Sequence, residues 1–290
     1  MTKLDPRRHA YRADLASETL RGSVQAEHYV AGQPHHVAVP SLPLRREPRF
    51  DSTLDTEALF GEAVTVFEEN EGWAWVQLEH DGYVGYMPSE GLAPGVAAPT
   101  HRIAALRTYV FPEPDSKVPP LALLSLNANV AVAKPAGRYL QLESGGFVYG
   151  NHAVPLGVSA PDYVAVAEAF LGTPYLWGGR TSVGTDCSGL VQLAAAAAGH
   201  AVPRDADMQA AETGDEVDWR RGAELARGDL VFWDGHVGIM TSADYFLHAN
   251  AFHMAVENEL FSGARDRIKA AGFEMTGVRR LALSGDKKTR

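Results

Sequence analysis

The sequence predicts a multidomain chain in which two small all-β modules precede an α+β domain. Three observations carry this expectation. Short β-prone runs with hairpin signals fill the stretch from Pro43 to about Pro94, and a similar succession returns after a proline-rich joint at Ala97–Thr100. From Ser159 the pattern changes to helical spacing and then, beyond Arg227, to strands. The 290 residues are 46% hydrophobic and 21% charged, proportions of a globular protein with room for two or three domains.

Residues 1–42 read as an N-terminal arm. Asp14–Arg21 has the makings of a short helix, but Gly22 and the Gly32–Pro34 turn interrupt anything longer. The neighbouring His35 and His36 diverge and have no further ligand cluster, so a solvated loop pair is expected rather than a metal site. The first β module spans 43–96: Ala63–Phe67 and Trp73–Leu78 are β-prone, and an Asp81–Gly82 turn leads into Tyr83–Met87. In the second module, 97–157, Val130–Ala133, Tyr139–Leu142 and Phe147–Tyr149 answer these runs at offsets of roughly 62–66 residues, a degenerate duplication.

The α+β domain spans 158–290. Ser159 with Asp162 is a helix-start signal, Pro161 fits the first turn, and Val164, Ala167 and Phe170 keep helical spacing up to Gly172. A loop holding Pro174, Gly178, Gly179 and Gly184 leads to a second helix from Cys187 to about Ala198, ended by Gly199. Strands follow at Asp229–Trp233, His236–Met240, Tyr245–His248 and Met254–Leu260.

Composition narrows the function classes. The formal charge of −10 repels phosphate backbones, so nucleic acid is not an expected partner. No apolar run approaches the ~18 residues of a membrane span, and Met1–Arg12 is charged with no apolar stretch behind it, so no secretory signal is read and the cytoplasm is the expected compartment. The single cysteine, Cys187, excludes an intrachain disulfide and a multi-thiolate metal site; no metal or organic cofactor is expected.

Cys187 opens a helix, where unpaired N–H groups and the positive end of the helix dipole favour thiolate over thiol. The same N–H groups suit a developing oxyanion. Taken alone, a free cysteine is more often a buried small hydrophobe. Two histidines change the balance. A hairpin turning about Ser242 makes His236 and His248 direct cross-strand partners, and a turn displaced by one residue still keeps them on one face. A helix-capped cysteine with a same-face histidine pair is the nucleophile, base and orienter arrangement of papain-like chemistry.

The stretch from Phe170 to Asn250 resembles the NlpC-type cell-wall peptidases, which are papain-like cysteine peptidases. The matching strings, in order, are Leu171-Gly172-Thr173-Pro174-Tyr175-Leu176-Trp177-Gly178-Gly179, Asp186-Cys187-Ser188-Gly189-Leu190, Pro203-Arg204-Asp205 with Gln209, Arg227-Gly228-Asp229-Leu230-Val231-Phe232, Gly235-His236-Val237-Gly238-Ile239 and Leu247-His248-Ala249. Residues 43–157 look like two bacterial SH3-like barrels. The resemblance implies hydrolysis of the γ-D-glutamyl bond to a diamino acid in murein peptides, with Cys187 as nucleophile, His236 as general base and His248 as the orienting residue. In the subset resembling recycling enzymes, Tyr175, Ser188 and Asp205 would surround the free amino end of L-alanine. Ala206 departs from that subset, which often has serine there.

The expected partner is therefore a small murein peptide such as L-Ala-γ-D-Glu-diamino acid. Two other readings stand beside it: an exported hydrolase of intact peptidoglycan with wall-binding barrels, and a non-catalytic binding protein. A carboxylate in a closed pocket favours the small free peptide over both, because it pairs with an ammonium and rejects an amide-linked stem. Asp205 has a simpler reading as the cap of the helix that follows it. The barrels are expected to wall off the cleft in an intracellular enzyme.

Overall fold

The computed structural model describes residues 4–96 and 98–282. The first three residues of the expected arm, Ala97 of the expected joint and residues 283–290 lie outside the described residues. The chain divides into two units at Leu156–Gly157.

In the first unit the β-prone runs become an antiparallel meander of Ala63–Asn70, Trp73–Leu78 and Val84–Pro88. It lies within a seven-stranded sheet, ordered 54–59, 41–45, 84–88, 73–78, 63–70, 33–37, 92–94. The sheet therefore begins about ten residues before the expected module boundary: Gln33–Val37 pairs with Ala63–Val66, and Ser41–Arg45 with Leu54–Leu59. His35 and His36 accordingly lie in a strand, not a loop, and alternation sends them to opposite faces. The expected helix over Asp14–Arg21 is replaced by a strand, Leu15–Ser17, and one 3-10 turn, Glu18–Leu20.

Residues 101–155 repeat this pattern in smaller pieces. Strand His101–Ile103 pairs with Asn129–Val130 and Ala153–Pro155, as Gln33–Val37 pairs with Ala63–Asn70 and Leu92–Pro94. A meander of Val132–Ala136, Tyr139–Leu142 and Phe147–Tyr149 follows. Even the irregularity repeats: register shifts between Val66 and Glu68 in one meander and between Val132 and Lys134 in the other. Each meander ends in a 3-10 turn and a three-residue strand finishing in proline. Ile103, Leu124, Val130 and Val148 form the core of this part.

The second unit opens with α1 (Tyr163–Glu168), capped by Asp162, whose carboxylate accepts from the Val164 N–H at 2.8 Å. The cap is thus Asp162 and not Ser159. α2 (Cys187–Ala197) is buried along nearly its whole length, which its alanines permit, and ends before Gly199 at φ 84°. α3 spans Ala206–Glu212 and α4 Phe261–Ala270. The sheet is antiparallel, ordered 215–216, 275–280, 229–233, 236–240, 245–250, 255–260. α2 packs against strands 236–240 and 245–250, and α4 against 245–250 and 255–260. Among the described residues, no helix is long and apolar enough to cross a membrane.

Candidate active site

Asp186 sets the position of Cys187. Its carboxylate caps α2 by accepting from the Gly189 N–H at 2.7 Å and also accepts from the Gly178 N–H at 2.9 Å. The loop 178–179 thus lies tight against the helix start. Gly189 is required there, since a Cβ would stand 2.4 Å from the Gly179 carbonyl oxygen. Arg204, 1% exposed, grips Asp186 with two hydrogen bonds of 3.0 and 2.7 Å and donates to the Ser188 hydroxyl at 2.8 Å. Ser188 in turn donates to Asp186 at 3.3 Å. Ser188 is therefore buried inside a polar knot at the helix start.

Cys187 is 7% exposed. Burial pushes its thiol up to about 12, the neighbouring Asp186 adds to the rise, and the backbone N–H groups of Val237 and Ser188 with the Arg204 charge only partly offset it. The Asp186 carboxylate already uses that end as its cap, which opposes the thiolate preference expected of a helix start.

Tyr175 runs alongside the helix start through a parallel bridge to Thr185, and its own N–H donates to Met254 O at 3.0 Å. The phenol is half-buried. Burial, then the proximity of Cys187 and Asp186, pushes it up to about 12. Asp205 is half-buried at the start of α3, where its side chain makes no cap hydrogen bond. Asp205 thus stands at the N-cap position of α3, as its simpler reading has it, without a side-chain cap bond.

The two histidines meet, though not as direct partners. Ile239 pairs with Leu247 and Met240 with Phe246, so the turn is centred one residue later than Ser242 and His248 stands opposite Gly238. His236 reaches diagonally over that glycine, and its Nε2 lies 2.8 Å from His248 Nδ1. A Cβ at 238 would come within 2.8 Å of the His248 Cβ and 2.3 Å of the Phe246 ring, which explains the glycine. The backbone N–H of Val237, beside His236, lies near enough to the Cys187 sulfur to favour its ionised form. His248 Nε2 continues to Glu259 Oε1 at 2.9 Å. Arg267 holds Glu259 through both oxygens, with one bond of 2.7 Å and a shorter one to Oε1. Burial lowers the proton affinity of both histidine rings, the more so at His236 because of the His248 and Arg267 charges. Burial alone would raise the Glu259 carboxyl, but its hydrogen bonds from Arg267 and His248 hold it down to about 2.

Arg204, Glu259 and Arg267 were not assigned roles from sequence. A signal for Glu259 exists: Glu257 and Glu259 alternate on a strand, and pairing puts both on the His248 face. His248, His253 and Glu259 bring three potential metal-ligand atoms within 4.8 Å. Both Glu259 oxygens are already taken by the Arg267 cation, so the donor set fits a hydrogen-bond relay and not a metal.

A family model described as the NlpC/P60 family matches residues 172–267, and one described as a bacterial dipeptidyl-peptidase Sh3 domain matches 44–92. A γ-D-glutamyl-L-lysine dipeptidyl-peptidase of Bacillus subtilis (strain 168) is 30% identical over 229 residues, covering 71% of this chain and 76% of that protein. The chain belongs to the NlpC/P60 family. This NlpC/P60 chain is thus a cysteine peptidase, a hydrolase, with a bacterial SH3-type region ahead of its α+β domain. Dipeptidyl-peptidase 6 of Lysinibacillus sphaericus is 26% identical to it over 231 residues, 71% of this chain and 84% of that one. The crystal structure of an NlpC/P60 family protein from Bacillus cereus ATCC 10987 shares the fold of the NlpC/P60 peptidase described here. The TM-score is 0.72 at 21% identity, over 86% of this chain and 99% of that one.

Proposed function

We propose that the chain hydrolyses the γ-D-glutamyl bond to a diamino acid in murein peptides that carry a free N-terminal L-alanine. The observation that carries this reading is the unbroken line of hydrogen bonds from His236 through His248 to Glu259, next to a cysteine at a helix start. The chemistry follows from the protonation states. His236 takes the thiol proton, and the sulfur electron pair attacks the γ-amide carbon while the carbonyl pair moves to oxygen. N–H groups at the start of α2 stabilise that oxyanion. The intermediate collapses, the C–N bond breaks, and the leaving amine takes the proton from His236. Water, deprotonated by the same histidine, then releases the D-glutamyl acid.

Asp205 and Tyr175 are the residues we assign to the L-alanine ammonium, with Ser188 acting through its bonds to Arg204 and Asp186. The B. subtilis relative, named for a γ-D-glutamyl-L-lysine bond, supports the choice of bond. We also read residues 97–157 as a second SH3-like barrel, since the strand pairing and the register shift of the first recur there. The substrates in this reading are freed peptides, which a cell recovers in its cytoplasm.

The test is incubation with L-Ala-γ-D-Glu-L-Lys, its diaminopimelate analogue, the N-acetylated forms of both, and whole sacculi, reading products by mass. Free peptide should be cut after D-glutamate, and acetylation should depress kcat/KM by roughly two to three powers of ten, because one charge of a partly buried pair is left alone. Cys187→Ala should abolish turnover with folding intact. Equal rates on free and acetylated peptide, or release from sacculi, would replace this reading with that of a wall hydrolase.

A further inference from the structure

We propose that Glu259, clamped by Arg267, is a positioning residue that fixes the order of protons along the His236–His248 pair. The inference rests on His236 being the base for Cys187. Two neutral imidazoles joined Nε2 to Nδ1 can carry their shared proton in either of two orders. In one, His236 Nε2–H donates to His248 Nδ1, and His236 keeps a lone pair on Nδ1. In the other, His248 Nδ1–H donates to His236 Nε2, the neutral His236 must carry its proton on Nδ1, and it is useless as a base toward the thiol. Nothing in the pair itself chooses between them.

Glu259 makes the choice. An ionised carboxylate has lone pairs and no proton to give. Its Oε1 stands 2.9 Å from His248 Nε2, so that nitrogen must donate. A neutral His248 protonated on Nε2 has a bare Nδ1, which then accepts from His236 Nε2 across 2.8 Å. His236 is left with an open Nδ1; its one hydrogen bond among the described residues is the one to His248. The reverse order would set a bare nitrogen against a carboxylate oxygen. Arg267 keeps Glu259 ionised and aimed by donating to both oxygens, and the Phe252 ring lies over the guanidinium at 4.3 Å.

Glu259 also carries charge. When His236 takes the thiol proton, the positive charge spreads over two rings that end on a carboxylate, with Arg267 as counterweight. The other titratable groups around the pair are Cys187 at the start of α2, Asp234 in the preceding turn, Glu257 opposite His248 on the neighbouring strand and His253 in the loop after strand 245–250.

The test is Glu259→Gln in the full chain. An amide can donate as well as accept, so it admits the reversed order and removes the charge. We expect kcat to fall roughly 10- to 100-fold, the usual cost of losing an outer partner of a functional histidine. KM should stay within about threefold, the mark of a group felt in the transition state rather than in binding. The acid limb of the kcat/KM profile should move to lower pH, because the imidazolium loses its counter-charge. In a His248→Asn background the same substitution should add nothing, since Glu259 acts only through His248. An equal loss in both backgrounds, or a loss confined to thermal stability, would overturn the proposal.

If Glu259→Gln does not fold, 15N spectra of the wild-type histidine rings at neutral pH decide. Both His236 and His248 should carry their proton on Nε2, and an Nδ1–H on either would overturn it. Failure of the broader reading looks different: His236→Ala would then keep full activity.

Discussion

At the scale of single residues, the centre of the site is a charge balance around one carboxylate. Asp186 caps α2, holds loop 178–179 and pairs with a fully buried guanidinium. Replacing Arg204 by Met keeps the volume but leaves Asp186 without its cation. We expect a loss of ~3–5 kcal/mol in urea unfolding, the usual consequence of orphaning one member of a buried pair. A loss below ~1 kcal/mol, typical of exposed pairs, would show that solvent reaches Asp186. Cys187, His236 and His248 were legible in sequence because each signal is local: a helix start in one case, strand parity in the other. Arg204 and Glu259 were not assigned, because each takes its meaning from a partner brought in by the fold. Arg204 finds Asp186 eighteen residues away, and Glu259 finds His248 across a strand pair.

At the scale of elements, the hairpin 236–250 is the most constrained piece. His236 crosses to His248 only because position 238 has no side chain. Gly238→Ala should therefore push on the Phe246 ring and the His248 Cβ together. The expected cost is about 1–3 kcal/mol of stability from overpacking, with a fall in kcat larger than the stability loss explains. Thermal melts and steady-state rates on the same variant check both parts. Helix α2 and the four central strands announce themselves through caps, glycines and alternation. Helix α4 does not: Leu260 stands at its N-cap with no side-chain bond, and Gly263 sits in its first turn. Strand Gln33–Val37 is hidden for a related reason. Pro34 and two histidines give it little β-propensity of its own, and pairing with Ala63–Val66 supplies what propensity lacks.

For the whole molecule, the buried titratable groups predict how stability depends on pH. An unfolded chain protonates histidine below ~6.5 and ionises cysteine above ~8.5. Folding lowers His236 and His248 and raises Cys187. The histidine contribution is thus complete above ~6.5 and lost as pH falls toward the folded values, while the cysteine contribution is complete below ~8.5 and lost as pH rises toward 12. The unfolding free energy from urea titrations should fall between pH 7 and pH 5 by an amount on the order of 1–3 kcal/mol. His236→Asn with His248→Asn should flatten that slope; an unchanged slope would mean the rings are not held neutral. The recurrence of strand pattern in the first unit was visible at this scale too, as two ordered sets of β-prone runs. What sequence could not supply was that the two meanders share even a register shift, since a bulge exists only between paired strands.

Arg204 and Asp205 are neighbours in the chain, and on the proposed reading they serve opposite ends of one measurement. Arg204 is fastened to Asp186, which is fastened to the start of the cysteine helix. Asp205, one peptide bond away, is the residue proposed to receive the substrate amine. The span from amine anchor to sulfur is then set by rigid, buried links and not by a flexible loop. On that proposed reading the enzyme acts as a gauge block: it reads off a fixed length of peptide from its free end and cuts where the length runs out.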